Sequence, residues 1–313
     1  MKILFNVLVL SLLVSLGTTT VDAQSRVRLS REQDRHNPED YNIYANNPTG
    51  TDQHVVVVFM DLVGYTPSLG IPPAVNVEPG RSKIFEMKRD ELTSEGTFQY
   101  QYYVYPGVAN PDIKYVDYVL PVSAGNEVSV RKLTDARLSF GGSSAENVFY
   151  GLAFLGNEGD TIHAARGGVV QKIVQDQETE GENVVFSNVK NYMHIKHADG
   201  TIARYEVFKI NSAQVKEGDE VLAGDPLALF TGENYQMGPN FRFSVRYLKF
   251  TYTKALRSNE WYSHHYLKPK FSTAKEGVKE LQSNYTYTAV LNDELITQDM
   301  SRKQKKKYLK SKR

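Results

Sequence analysis

Apolar and polar positions alternate along much of this chain in short runs, and the runs are interrupted by proline and glycine. That two-residue period belongs to half-buried β-strands. His54 to Met60 is a β-branched apolar run, ended by Pro67, Gly70, Pro72 and Pro73. Val75 to Val77 leads into the turn Glu78-Pro79-Gly80, and Ser82 to Met87 follows. Thr97 to Tyr105 is rich in alternating tyrosine, and Pro106-Gly107 and Asn110-Pro111 make further turns. Tyr115 to Leu120 and Glu127 to Val130 complete the set. Strands of this length and spacing predict a small β-sandwich over residues 41–132. Its tyrosines read as half-buried sheet residues, with a sugar-binding aromatic surface as the alternative. The polar stretch 24–40 reads as a flexible leader.

Residues 131–144 form the expected junction. Strands then resume with dense glycine turns, among them Gly151, Gly159, Gly168, Gly200, Gly218, Gly224, Gly232 and Gly238. This predicts a second antiparallel β domain over 133–270, so the fold class is all-β. Thr273 to Leu281 is a candidate short helix inside a C-terminal extension, 271–313. That extension ends in a basic run, from Arg302 and Lys303 to Lys312 and Arg313. Such a block is expected to be a solvated tail, or a contact to an anionic envelope polymer, lipid surface or acidic partner.

At the N-terminus Lys2 precedes an apolar run, Ile3 to Leu16, too short and too interrupted for a comfortable membrane span. Val21 and Ala23 suit the small-residue positions of a signal-peptidase site. A signal peptide over 1–23 is expected, and with it an exported protein, periplasmic, secreted or at the cell surface. No later run is long enough to cross a bilayer. The chain has no cysteine, which excludes disulfides, thiolate metal sites and a cysteine nucleophile. Lys+Arg 37 against Asp+Glu 36 gives no general case for nucleic-acid binding.

Three segments in order carry a family resemblance. The first runs from Phe149 to Phe154 and on through Glu158 to Val170. The second runs from Tyr192 to Tyr205 and on to Val215 and Leu227. The third is Thr231-Gly232 followed by Gly238 to Phe243. Order and spacing resemble the lysostaphin or LytM-type zinc endopeptidases, whose substrate is the peptide part of peptidoglycan. The Val215 to Leu227 pattern alone also occurs in lipoyl and biotinyl carrier domains, but no presented lysine at a hairpin tip is found. The resemblance implies an antiparallel β domain with a duplicated hybrid motif. It also implies zinc held by a His-x-x-x-Asp motif and the second histidine of a His-x-His motif, with two further histidines acting on water and the transition state.

In this chain the corresponding positions are Phe149, Ala153, Val207, Asn240 and Arg242. Phe149 and Ala153 have no donor atom, and Val207 cannot carry a proton. Asn240 is at best a weak carbonyl ligand, and Arg242 carries fixed positive charge where a divalent cation would sit. A non-catalytic member without zinc or any other cofactor is expected. His194 and His197 stand three apart, and His264 and His265 are adjacent; on a strand both spacings point to opposite faces, which argues against a rebuilt site. Alternation puts Phe241, Phe243 and Val245 toward a core and Asn240, Arg242 and Ser244 on the groove face, beside Tyr205 and Val207. Tyr205, Asn240, Arg242 and Ser244 are therefore candidate groove-binding residues. Arg242 either grips a peptide carboxylate or pairs with Asp160 or Glu158. The leading functional expectation is a pseudo-peptidase that binds peptidoglycan or regulates a wall amidase or hydrolase. An active zinc endopeptidase with non-standard ligands and a structural surface or adhesion protein are the alternatives.

Overall fold

The computed structural model describes residues 26–133 and 149–312. The expected signal peptide and most of the junction lie outside the described residues. The first strands are β1 (Arg28–Gln33), β2 (Tyr41–Asn47), β3 (Gln53–Val63), β4 (Tyr65–Pro67), β5 (Ala74–Val77), β6 (Gly80–Arg89) and β7 (Thr97–Pro106). They make a four-stranded sheet ordered β1-β2-β6-β4 and a three-stranded sheet ordered β5-β3-β7. Alternation sends Ile43, Ala45, Phe85 and Met87 from one sheet, and Val55, Val57 and Phe98 from the other, into one apolar cluster.

The flexible leader needs correction. Residues 28–33 are β1, paired in register with all but the end of β2. Its side chains are almost all exposed and polar, so no apolar alternation marks it. Backbone pairing to β2 supplies its order, and the Glu32–Arg81 ion pair (2.5 Å) reaches across to β6.

The remaining strands are β8 (Tyr118–Val119), β9 (Glu127–Leu133), β10 (Gly151–Leu155), β11 (Thr161–His163), β12 (Gly168–Val174), β13 (Tyr192–Lys196), β14 (Ile202–Glu206), β15 (Glu220–Val221), β16 (Pro226–Leu229), β17 (Asn240–Phe250), β18 (Tyr262–Leu267), β19 (Phe271–Thr273), β20 (Gly277–Lys279) and β21 (Tyr285–Thr288). Nine of them build the main sheet, ordered β15-β12-β13-β14-β17-β10-β9-β21, with β18 also paired to β17. A boundary at 132 would cut this sheet, because β9 pairs with both β10 and β21. Tyr118, Leu120, Val128 and Val130 join the second core, as do Phe271, Leu281, Tyr287 and Ala289. Residues 271–289 are thus part of that domain. The expected helix at 273–281 is instead the hairpin β19–β20, turned at Gly277 with φ +67°.

Past β21 the chain forms the helices Asp293–Thr297 and Arg302–Ser311. The basic tail is therefore helical for most of its length. Ser301 accepts from the Gln304 backbone N–H at 3.3 Å, and the Gln304 side chain accepts from the Ser301 N–H at 2.9 Å, a reciprocal N-terminal cap. Its basic side chains remain exposed. Among the described residues no helix is long and apolar enough to cross a membrane.

Two of the tyrosines of β7 meet the second domain. Tyr105 lies on Tyr262 with centroids 3.7 Å apart, and Tyr103 meets Trp261 edge-on at 5.2 Å. His54 packs between Phe250 and Tyr262, and Asp52 pairs with Lys196. Main-sheet packing is equally close at Gly168, where an added Cβ would lie 2.4 Å from the Lys196 carbonyl oxygen. Gly168→Ala is expected to cost about 2–3 kcal/mol, read from the denaturant midpoint. A loss below about 0.5 kcal/mol would mean that β12 and β13 are not this close.

Candidate functional site

β17 is buried on both faces over Asn240–Val245. Phe241 and Phe243 pack into the core as expected, Phe241 stacked on Phe154 at 5.2 Å and edge-on to Phe230 at 4.9 Å. The other face carries Asn240, Arg242 and Ser244. Register sets their neighbours: Arg242 stands opposite Ala153 on β10 and Glu206 on β14, and Ser244 stands opposite Arg204. Phe149 precedes β10 on the same alternation and meets Tyr266 edge-on at 4.9 Å. Phe149, Ala153 and Arg242 thus share one face, with Asn240 beside them.

Arg242 is 7% exposed. Its Nη2 donates to the Val185 carbonyl at 2.9 Å, and its guanidinium lies over the Tyr235 ring at 5.0 Å. Burial pushes its pKa below the ordinary arginine value, and Tyr235 and Glu206 push back. The expected pairing with Asp160 or Glu158 does not form. The Asp160 carboxylate accepts from the Asn157 N–H at 2.9 Å, and Glu158 pairs with Lys209 at 3.3 Å. Both acids sit in a turn that closes on itself, and a segment nearer in space meets the Arg242 Nη2 instead. That segment is the loop between β12 and β13. Asn234 Nδ2 donates to the Thr179 carbonyl at 2.6 Å, Val184 N–H donates to the Asn234 carbonyl at 2.9 Å, and Gln236 N–H donates to the Val184 carbonyl at 3.1 Å. The loop tip leaves Val185, Phe186 and Val189 exposed.

At the Asn240–Arg242 end of this face two buried polar atoms have no partner: Nε of Arg242 and Oδ1 of Asn240. Asn240 Nδ2 donates to the Gly238 carbonyl at 2.7 Å. A cavity of about 560 Å³ includes Tyr235, whose ring meets Arg242, in its lining, with Val207, Asn191, Lys190, Lys209 and Glu158 among others. At its rim Glu158 and Glu233 approach each other. The contact, with Lys209 adding to it, lowers the Glu158 pKa; the same contact raises that of Glu233, with Lys209 opposing the rise. Val207 is buried and holds φ +65°, a left-handed backbone that a β-branched residue rarely adopts.

Tyr205 is not a groove residue. It lies opposite Phe243, so it points to the core face, where it is 1% exposed. Its hydroxyl accepts from the Ala165 N–H at 2.7 Å, and burial raises its pKa. Neighbouring Val207 lines the cavity only because the left-handed residue breaks the alternation of β14.

The histidines separate as their spacing predicts. Arg204 Nε donates to His194 Nε2 at 3.0 Å on the groove face. His197 is fully buried on the other side, its Nδ1 2.8 Å from the Gly167 carbonyl, and burial followed by Arg166 lowers its pKa to about 4. His163 is held between the Gly224 carbonyl (2.7 Å) and Ser123 (3.0 Å). His264 and His265 lie opposite Leu248 and Tyr247, on alternate faces. Among the described residues no three His, Cys, Asp or Glu side chains are grouped so as to hold a metal. Sequence reasoning missed the docked loop, whose signal is weak because its contacts to 234–236 are mostly backbone. It also missed the buried ion cluster at Arg166, whose only signal is a charge between Ala165 and Gly167.

Solved structures resemble the chain at low identity. The SpoIIQ-SpoIIIAH pore forming complex is 20% identical over 43% of this chain and 85% of that chain, with TM-score 0.30. A zinc containing peptidase from Vibrio cholerae is 15% identical over 69% of this chain and 81% of that chain, with TM-score 0.25. Helicobacter pylori Csd3 in its hexagonal crystal is 11% identical over 78% of this chain and 77% of that chain, with TM-score 0.28. Similarities of this size carry no functional assignment. No curated protein matches the chain. The model of Peptidase family M23 matches residues 147–256, which include β10 to β17 and every groove position named above. Residues 147–256 of the second domain thus match the model of Peptidase family M23.

Proposed function

We propose that this chain is an exported envelope protein whose M23-type domain is non-catalytic and binds peptide on its groove face. The peptide is either the stem of peptidoglycan or a segment of a wall hydrolase that the protein regulates. One observation carries this reading. The Asn240 Oδ1 acceptor and the Arg242 Nε donor are buried without partners, two positions apart on one strand face. A peptide unit offers one N–H and one C=O, the complement of that pair. Unsatisfied buried groups cost about 1–3 kcal/mol each, which a bound peptide would recover.

The residues present do not fit a catalytic zinc. Such an ion needs about three lone-pair donors and an open position. At those positions stand a phenyl ring, a methyl group and a guanidinium, with an amide beside them. The guanidinium Nη2 is committed to the Val185 carbonyl. No hydrolytic step is therefore derived for this domain.

Pull-down on purified peptidoglycan, combined with zinc analysis of untagged protein, tests the proposal. Arg242→Ala is expected to weaken binding by about tenfold or more. Unchanged affinity would remove the groove from the function. Stoichiometric zinc with chelator-sensitive wall hydrolysis would instead establish an active peptidase. The exposed cations of the helix Arg302–Ser311 favour a second contact, to an anionic envelope surface. If deleting residues 301–313 abolishes envelope retention while Arg242→Ala does not, the protein is a surface-attached structural module.

A further inference from the structure

The groove face carries a second polar cluster further along the sheet from Arg242. Arg204 lies opposite Ser244 on one side and His194 on the other, and His194 lies opposite Lys172. Arg246 is two positions beyond Ser244 and opposite Tyr266, and His264 is two positions from Tyr266 on β18. Four strands thus bring two guanidiniums and two imidazoles onto one face. Both guanidiniums lie close enough to both rings to act on them electrostatically. The guanidiniums also repel one another.

The charges of this cluster are not balanced from within. Glu206 is shared by Arg204 at 2.8 Å and Lys190 at 3.5 Å, and Glu217 is taken by Lys172 at 3.2 Å. Nε of Arg246 is buried without a partner. His264 is exposed, so the cluster has a solvent-facing side. The Arg204 Nε donor makes His194 Nε2 an acceptor, which requires a neutral ring. The remaining groups facing the cluster are Tyr192 and Lys196 on β13, Arg242 on β17 and Tyr266 on β18.

We propose that Arg204, Arg246, His194 and His264 form a binding site for a phosphate group. Two guanidiniums match a dianion in charge, and guanidinium forks match the oxygens of an oxyanion in geometry. Donors converging from four strands suit a tetrahedral ion better than a planar carboxylate. Burial first, then the two arginines, hold His194 at a pKa of about 3; burial and the same arginines hold His264 at about 4. An anion between the guanidiniums reverses the field at both rings. They then take up protons and become donors, with Arg204 Nε released from His194 Nε2 toward the anion, so binding is coupled to protonation. This site is separate from the Asn240–Arg242 pair and stands whether or not that pair binds peptide.

The test is calorimetric titration of the whole protein with inorganic phosphate and with sulfate. Sulfate keeps its charge between about pH 5 and pH 8, so any pH dependence belongs to the protein. One saturable site with Kd below about 1 mM is expected for both anions. Sulfate should bind about fivefold or more tightly at pH 5.5 than at pH 8, with net proton uptake when buffers of different ionisation heat are compared. Arg246→Gln should weaken binding about tenfold, and His194→Gln should reduce the pH dependence. If Arg246→Gln fails to fold, ring NMR of the unaltered protein decides: saturating phosphate should raise the His194 and His264 titration midpoints by about two units or more. Substituting a glycerol phosphodiester distinguishes the source: tighter binding assigns the site to polymer or headgroup phosphate, and equal or weaker binding to the free ion. Absence of saturable binding below about 10 mM, or unmoved histidine titrations, would overturn the proposal.

Discussion

Arg166→Met is expected to lower the unfolding midpoint by roughly 6–20 °C, which corresponds to about 3–5 kcal/mol in a protein of this size. Arg166 is fully buried. Its Nε and Nη2 donate to the two Asp299 oxygens at 2.7 and 2.8 Å, its Nη1 donates to Asp199 at 2.9 Å, and its guanidinium lies 5.7 Å from the Tyr118 ring centroid. The three charges come from the turn after β11, the turn between β13 and β14, and the segment after the helix Asp293–Thr297. Gln298 strengthens the same junction: its Nε2 donates to the Asp117 carbonyl at 2.6 Å and its Oε1 accepts from the Asp117 N–H at 3.1 Å. Removing only the cation leaves two carboxylates in a dry interior with no counter-charge, the costly way to break a buried pair.

The same cluster sets an acid limit. Burial works against ionisation of Asp199, but the Thr201 hydroxyl and Arg166 outweigh it, and its pKa lies below the usual aspartate value. A depressed folded pKa contributes stability that is present above the unfolded value of about 3.9 and is lost as pH falls through the folded value. Thermal melts of the unaltered protein should therefore fall in two stages: from about pH 6.5 to 4, where unfolded histidines take up protons that His194, His197 and His264 refuse in the fold, and again below about pH 4 as Asp199 is protonated. Arg166→Met should lose that part of the acid dependence. A midpoint change under about 2 °C on substitution would show that the cluster is open to water.

How much of this was legible in the sequence depended on whether side chains or backbone did the ordering. The alternation in β17 separated Phe241, Phe243 and Val245 from Asn240, Arg242 and Ser244, because a strand buried against a core must alternate. The opposed directions of His194 and His197 followed from the same rule. Tyr205 was misassigned because the rule was not carried from β17 across to β14, where register places it opposite Phe243. β1 left no trace, since an edge strand with solvent on most of its side chains has no apolar period. The domain boundary near 132 failed for another reason. β9 is identical in character to the strands before it, and only its long-range pairing to β10 and β21 shows where it belongs. The Arg166 cluster joins residues 133 positions apart, beyond the reach of any local pattern.

Three substitutions at the positions that match the family's zinc ligands should give a domain that binds about one zinc per chain. The variant is Phe149→His, Ala153→Asp, Arg242→His. Ala153 and Arg242 are directly opposite on neighbouring antiparallel strands, so their Cβ atoms are roughly 4.5–5.5 Å apart, a spacing from which two short ligands can reach one ion. Phe149 lies four positions before Ala153 on the same face. Loss of Arg242 also removes the fixed charge that would repel the metal. A Kd at or below about 1 μM is expected, with zinc at a hundredfold excess over Kd adding about 2.7 kcal/mol of stability. Circular dichroism and thermal melts of the metal-free variant verify that it folds. If a folded variant gains no zinc, the residues at these positions are not the counterparts of metal ligands, and the register behind the non-catalytic reading is wrong. If the unaltered protein already carries stoichiometric zinc, the non-catalytic reading itself falls. Hydrolysis needs two further histidines, and the backbone is suited to one of them. Val207 sits at φ +65°, where histidine is tolerated better than a β-branched residue. Val207→His should therefore be neutral or mildly stabilising, even though it replaces a buried apolar side chain with a polar one beside an open cavity.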